Sequence, residues 1–191
     1  MYENYDPSKI SKHTDLATAL RKSVKAGSTS AAVLLLLGYF PGKETESLLR
    51  EVRDRKERSQ TKLFEWFPVV MVSLPANVAL SRLGDKRSRM ALLDAIEASR
   101  PAELEFLLTA IREIDAPEVL HSLKRALDDQ REVSAGVPSG AEPKRRLCDE
   151  PVNAFVKRLQ LNVGVELSSA RRYSKAEIDA VRNGIDASIP K

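Results

Sequence analysis

The sequence predicts an all-α protein organised as a short helical solenoid. A leucine-rich run, a short turn and a second amphipathic run recur at residues 37–49, at residues 83–93 and, more loosely, at residues 114–123. Each copy has the form of a helix end, a tight turn and a helix whose apolar face needs a neighbour, as in stacked repeats. Aromatic residues make up only 5% of the chain and glycines number only 8, which also favours helices over strands.

The N-terminal part of the sequence predicts a polar segment followed by three helices. Residues 1–12 are polar and are expected to be loosely ordered. A first helix starts near Thr14, and a second, apolar nearly all round and therefore central in the stack, covers residues 31–40. A third helix ends in the mixed-charge run 50–58, which is expected to be a solvated face held by ion pairs or, alternatively, a binding surface. The residues predicted to face inward are Leu16, Leu20, Val24, Leu48, Leu49 and Val52.

Residues 59–83 interrupt the regular pattern. Pro68 and Pro75 remove backbone donors and clash with the preceding turn, so two short helices or one kinked helix are expected. The aromatic cluster around Trp66 is predicted to be the core of an enlarged repeat. An exposed aromatic hot spot is the alternative.

From Asp85 onward the pattern is regular again. Asp85, Ser99 and Asp115 stand at the starts of three predicted helices, where a short polar side chain accepts a hydrogen bond from the first turn. Residues predicted to be buried on these helices are Met90, Leu93, Ile96, Leu104, Leu107, Leu108, Ile111, Ile114, Val119, Leu120, Leu123 and Leu127.

The C-terminal quarter is separated from the repeats by a run rich in glycine, proline and serine. We therefore predict helical repeats over residues 1–133, a linker over 134–143 and a basic helical cap over 144–191. The cap contains one helix that starts near Asp149, with an apolar stripe reaching Val163. A second helix opens with the capping box Ser174–Glu177.

The charge distribution bears on the class of partner. The chain carries a net charge of +4, yet residues 1–143 contain 21 basic and 21 acidic residues. Residues 144–191, with 10 basic and 6 acidic residues, carry the whole excess. Attraction to phosphates would therefore come mainly from the C-terminal quarter, where Lys144, Arg145, Arg146, Arg171 and Arg172 lie.

Cysteine content and hydropathy indicate the compartment. Cys148 is the only cysteine, so no intrachain disulfide forms, and we expect a thiol at a helix start without a catalytic role. The apolar run 31–40 has about half the length that a bilayer crossing needs. We expect a cytoplasmic protein with no membrane partner, and the sequence leaves its oligomeric state open.

The turn Leu83-Gly84-Asp85-Lys86-Arg87, followed by Leu92-Leu93, resembles HEAT-type repeats, including the short variety of phycobilin-lyase-like proteins. The copies at 37–49 and 114–127 are similar in shape, and the likeness covers residues 28–130. The resemblance implies a short right-handed solenoid of antiparallel helix pairs that offers one face to a partner, usually a protein. It implies no catalytic residues.

Motifs for catalysis or cofactor binding are not found in the sequence. His13 and His121 lie far apart, and neither a phosphate-binding glycine loop nor a Gly-x-Ser-x-Gly motif occurs. We therefore expect no enzyme activity, no cofactor and no metal.

The resulting functional hypothesis is a protein-binding adaptor, inhibitor or bacterial immunity protein. Nucleic-acid binding through the basic C-terminal segment is the alternative, for example in a glycosylase-like form with Trp66, Tyr39 and Asp85 around a base. A chromophore-lyase-like enzyme is a third possibility. The residues predicted to contact a protein partner are Arg50, Arg53, Trp66, Asp94, Glu97, Arg125 and Asp128.

Overall fold

The computed structural model describes residues 10–56, 71–98, 101–111, 114, 116–132, 145–168 and 171–188, without the side chains of 101–103 and 105. Within these ranges the chain forms nine α-helices and no strand, so the all-α class is confirmed. An isolated antiparallel bridge joins Glu132 to Arg146. The helices are α1 (Thr14–Lys25), α2 (Ala31–Leu37), α3 (Lys43–Arg53), α4 (Ser73–Arg82), α5 (Lys86–Ala98), α6 (Pro101–Ile111), α7 (Pro117–Ala126), α8 (Asp149–Arg158) and α9 (Lys175–Ser188).

The first compact unit of the chain comprises Met1–Ala95. In it α1 packs against α2 and α3, and α4 packs against the same two helices. Their apolar faces meet in one cluster from which water is excluded, and this burial is the main favourable term in folding. The cluster includes the fully buried side chains Val24, Leu34, Leu37, Leu49, Val52, Val72 and Leu80.

Two glycines that occupy the same position in the predicted repeat serve different purposes. Gly84 adopts φ 92° after α4, a left-handed conformation that favours glycine at a helix end. Gly38 has an ordinary helical φ of −62°. A Cβ atom there would lie 2.7 Å from the Cα atom of Ala79, so glycine allows α2 and α4 to approach closely.

Arg82 adds a polar link between the same two helices. Its Nη1 atom donates a hydrogen bond to the carbonyl oxygen of Leu35, in the last turn of α2, at 3.1 Å. Its guanidinium also lies over the ring of Tyr39, 4.6 Å from the centroid. The Leu35 carbonyl, which also accepts the Gly38 amide at 3.2 Å, therefore receives a second hydrogen bond from a side chain of α4.

The second compact unit comprises Ile96–Lys191, and α8 lies at its centre. This helix packs against α6, α7 and α9. The boundary between the units falls within α5. The predicted linker over 134–143 lies outside the described residues, as does the aromatic cluster with Trp66, and the predicted domain limits stay a prediction.

Two predicted capping interactions are confirmed, whereas Ser99 and Asp115 lie outside the described residues and α7 has Ala116 at its N-cap. Asp85 Oδ1 accepts a hydrogen bond from the Ser88 amide at 2.8 Å at the start of α5. The Ser174 amide donates to Glu177 Oε2 at 2.8 Å, while Ser174 Oγ accepts from the Glu177 amide at 3.3 Å. The capping box at the start of α9 is thus confirmed.

Two predicted core residues and one helix end were wrong, and Leu93, Ile96 and Leu120 are only partly buried. Met90 is 55% exposed and Leu16 38% exposed, whereas we expected both to face inward. On α5 the buried residues are Ser88 and Leu92, so the helix is rotated relative to the predicted stripe. The helix that begins at Asp149 ends at Arg158 instead of continuing to Val163.

None of the helices in the described ranges has the length and apolar character needed to cross a bilayer.

Candidate functional site

Three of the predicted contact residues belong to the N-terminal unit. Arg50, on α3, donates to Asp85 Oδ2 from Nε at 3.3 Å and forms an ion pair with Glu46 at 3.1 Å. Arg53 donates to Ser88 Oγ from Nη1 at 3.4 Å. These bonds join α3 to the start of α5. Asp94, further along α5, is exposed.

The Asp85 carboxylate organises this junction. Its burial disfavours the charged form, but hydrogen bonds from Ser88 and Arg50 outweigh that cost and hold the pKa of Asp85 below its usual range. The junction therefore keeps a fixed negative charge beside two arginines.

Three further predicted residues belong to the C-terminal unit. Arg125 Nη1 lies 3.0 Å from Glu97 Oε1, and both side chains are mostly exposed. Asp128 is bound by Arg182 of α9 at 2.7 Å. Charges of both signs, from the end of α5, from α7 and from the residues that follow α7, are thus exposed in this unit. Trp66, the seventh predicted residue, lies outside the described ranges.

Three arginines of the basic C-terminal segment lie close to carboxylates of opposite charge. Arg145 pairs with Glu150 at 2.8 Å, and Arg171 pairs with Glu177 at 2.6 Å. Arg172 lies 3.7 Å from Glu132. These arginines, which we considered as phosphate contacts, therefore have acidic partners within the unit.

Arg146 and Asp149 form the most buried of these pairs. Asp149 Oδ2 accepts the Arg146 amide at 2.7 Å, and Oδ1 accepts Arg146 Nη2 and the Tyr173 amide, each at 3.0 Å. Arg146 also donates to Gln130 Oε1 at 2.6 Å and to the Tyr173 carbonyl. The pair holds together the chain after α7, the start of α8 and the chain before α9.

The phenol of Tyr173 extends this network. Its hydroxyl donates to Asn153 Oδ1 at 2.8 Å and accepts a hydrogen bond from the Ser168 amide at 3.0 Å. The network is satisfied by protein groups, as buried polar groups generally are. The sequence analysis did not predict this network. The signal that could have indicated it is the Arg146/Asp149 spacing at a helix start, where an acidic side chain is favourable.

Two of the side chains considered for a glycosylase-like site, Tyr39 and Asp85, contact other residues of the protein. Tyr39 stacks under Arg82, and Asp85 caps α5 and binds Arg50. Within the described ranges, no group of three or more His, Cys, Asp or Glu is placed to hold a metal ion.

The thiol of Cys148 is fully buried at the start of α8. Desolvation by burial, with the nearby Asp149 charge, raises the pKa of Cys148 from 9.0 to about 11. The thiolate is the form that reacts with disulfide reagents, so the native thiol is expected to be inert.

We expect Cys148 to react with a chromogenic disulfide reagent at pH 8 at least about 100-fold more slowly in the native protein than in the unfolded chain. The pKa difference alone lowers the thiolate fraction by about this factor. The same chain in guanidinium chloride is the control. Equal rates under the two conditions, after correction for denaturant, would show that the thiol is accessible and ionisable.

No protein-family model matches this chain, and comparisons with curated proteins and with solved structures found no match. The functional argument therefore depends on the sequence and on the geometry described above.

Proposed function

We propose that this chain is a non-catalytic, HEAT-like module that binds another protein in the cytoplasm, as an adaptor, inhibitor or immunity protein does. Part of the pattern of helix contacts in the N-terminal unit supports the repeat architecture. Helix α1 packs against α2 and α3, and α4 packs against α2 and α3. Stacked helix pairs have such contacts between consecutive and between next-but-one helices. Helices α2 and α3, which form the first predicted copy, make little contact with each other.

The observation that carries the proposal is the mixed-sign surface formed by Glu97, Arg125 and Asp128. Its charges are exposed, alternate in sign and are held in place by ion pairs. Charges arranged in this way select a protein partner of complementary pattern and steer its approach, although each contributes little affinity. A polyanion would meet two repulsive carboxylates and one attractive guanidinium among these three groups.

The pairing of the C-terminal arginines favours a protein partner over nucleic acid. A cation already bound to a carboxylate releases fewer counterions on meeting a phosphate, and counterion release is the main source of non-specific affinity. Arg145 and Arg146 in particular are held by buried acidic partners.

The test is affinity purification from the native host with a charge-swapped variant. In Glu97→Arg/Arg125→Glu the internal ion pair can re-form, while the pattern offered to a partner is inverted. We expect the wild-type chain to retain one stoichiometric protein and the swapped variant to lose it by at least about tenfold, about 1.4 kcal/mol. Cross-linking with mass spectrometry would place the contact on α7.

Lys25→Glu/Glu44→Lys is the matched control, because this exposed pair joins α1 to α3 away from the predicted contact residues. It should retain the partner at the wild-type level. Recovery of nuclease-sensitive material in place of a protein would favour the nucleic-acid alternative. Equal retention by both swapped variants would remove the α7 surface from the proposal.

A further inference from the structure

The segment 165–168 of the C-terminal unit lies between α8 and α9 and contains no helix, turn or bend. It follows a bend at Val163 and Gly164, whose φ is 67°. The side chain of Glu166 is 92% exposed, whereas Val165 and Leu167 on either side of it are partly buried. Such alternation along an unbent chain is the side-chain pattern of a β-strand.

Contacts on both sides of this segment hold it in place. A Cβ atom on Gly184 of α9 would lie 3.2 Å from the side chain of Val163, so the chain enters the segment packed against that helix. At the other end, the Ser168 amide donates to the hydroxyl of Tyr173 at 3.0 Å, and the Ser168 carbonyl accepts from Asn153 Nδ2 at 3.1 Å. A segment that is fixed before binding loses less conformational freedom when a partner binds.

The two edges of the segment differ in their hydrogen bonds. In a strand, the N–H and C=O of one residue point to one edge and those of the next residue to the other. On the edge of Glu166 and Ser168, the Glu166 carbonyl accepts from Arg171 Nη1 at 3.1 Å, and both backbone groups of Ser168 are bonded as described above. On the other edge, the backbone groups of Val165 and Leu167 have no hydrogen-bond partner in the part of the chain that the structure describes.

This open edge offers two donors and two acceptors at the spacing of alternate strand residues. Another backbone segment is the chemical complement of such an edge, which serves as a template for strand pairing. Two alternate residues of an added antiparallel strand would each exchange both of their hydrogen bonds with Val165 and Leu167.

The side chains beside the open edge indicate the composition of the added strand. Val165 and Leu167 present partly exposed apolar side chains, and apolar cross-strand neighbours stabilise strand pairing. Glu166 extends into solvent between them, with Arg171 Nη1 no closer than 3.9 Å to its carboxylate. Opposite charges on neighbouring strands are favourable, so a basic residue suits the position beside Glu166.

We propose that the edge formed by Val165 and Leu167 binds an extended segment of a partner protein by strand addition. The bound segment has apolar residues at alternate positions and basic residues between them. This inference rests on the proposed function because it takes a protein as the partner, but it concerns a surface other than that of α7.

NMR titration of the full, ¹⁵N-labelled chain with the peptide acetyl-Lys-Val-Lys-Val-Lys-Val-amide tests the proposal. We expect saturable shifts confined to the amides around residues 163–168, and slower hydrogen exchange of the Val165 and Leu167 amides. The same peptide with methylated backbone nitrogens keeps its side chains but loses its donors, so it should bind at least about tenfold more weakly. A peptide with Glu in place of Lys should also bind more weakly.

Val165→Pro removes one donor from the open edge and should weaken binding of the Lys-Val peptide at least about tenfold. Val165→Thr is the matched control, because it keeps the amide and the branched shape, and it should bind as the wild-type chain does. The melting temperature of each variant checks its folding, and the methylated peptide decides the question if the proline variant unfolds.

The absence of saturable shifts at residues 163–168, or equal binding of the methylated peptide, would overturn the proposal. Either result would leave the charge-swap experiment on α7 unaffected. Loss of the α7 proposal in that experiment would in turn leave peptide binding at the open edge intact, so the two failures are distinguishable.

Discussion

Replacing Asp149 with alanine is expected to lower the free energy of unfolding by about 3–5 kcal/mol. The carboxylate is fully buried and accepts hydrogen bonds from the Arg146 side chain and from the amides of Arg146 and Tyr173. Its removal leaves a buried guanidinium without its counter-charge and two backbone donors without an acceptor. Urea unfolding followed by circular dichroism measures the loss.

The matched control for this change is Asp186→Ala. Asp186 also forms an ion pair, with Lys124, but its side chain is mostly exposed, and such pairs contribute about 0–1 kcal/mol. Hydrogen exchange should locate the destabilisation of Asp149→Ala in residues 145–188. If both variants lost the same small amount of stability, the buried network would not hold this unit together.

Replacing Gly38 with alanine is expected to lower the free energy of unfolding by about 1–3 kcal/mol. The added Cβ would lie 2.7 Å from Ala79 Cα, a backbone atom that cannot move without shifting α4. Because the φ of Gly38 is an ordinary −62°, backbone strain contributes nothing, and the cost is steric alone. Thermal and urea unfolding of the purified variant measure it.

Gly184→Ala provides the contrast. Gly184 lies within α9, where alanine is the better helix former by about 1 kcal/mol. The new Cβ would meet only side-chain atoms of Leu161 and Val163, at 3.2 Å, and these can move. We expect a change within about 1 kcal/mol of zero. A loss as large as that of Gly38→Ala would contradict the assignment of the Gly38 effect to the α2–α4 contact.

The helix starts could be predicted because their signals are local. Asp85 and the Ser174–Glu177 box act within one turn, so residue type and spacing suffice to identify them. The face that α5 buries could not be predicted in this way. Apolar residues at 90, 92, 93 and 96 permit more than one stripe, and the Arg53 hydrogen bond to Ser88 draws a polar residue inward.

The electrostatics of the candidate surfaces could likewise be predicted only where the signal is local. That the charges of Arg125 and Asp128 are exposed could be predicted from the helical pattern. The Arg146/Asp149 spacing is a local signal, but the hydrogen bonds from Arg146 to Gln130 and to Tyr173 could not be predicted, because they join chain segments 16 and 27 residues apart. A run of basic residues in the sequence therefore overstated the charge available to a polyanion.

The bond from Arg82 to the Leu35 carbonyl also bears on the order of folding. Helix α2 has only seven residues, too few to persist in water without tertiary contacts. Its last turn receives a hydrogen bond from a side chain 47 residues further along the chain, which also stacks on Tyr39. We therefore expect α2, which packs against both α1 and α4, to reach its final packing during synthesis only after α4 has followed it out of the ribosome.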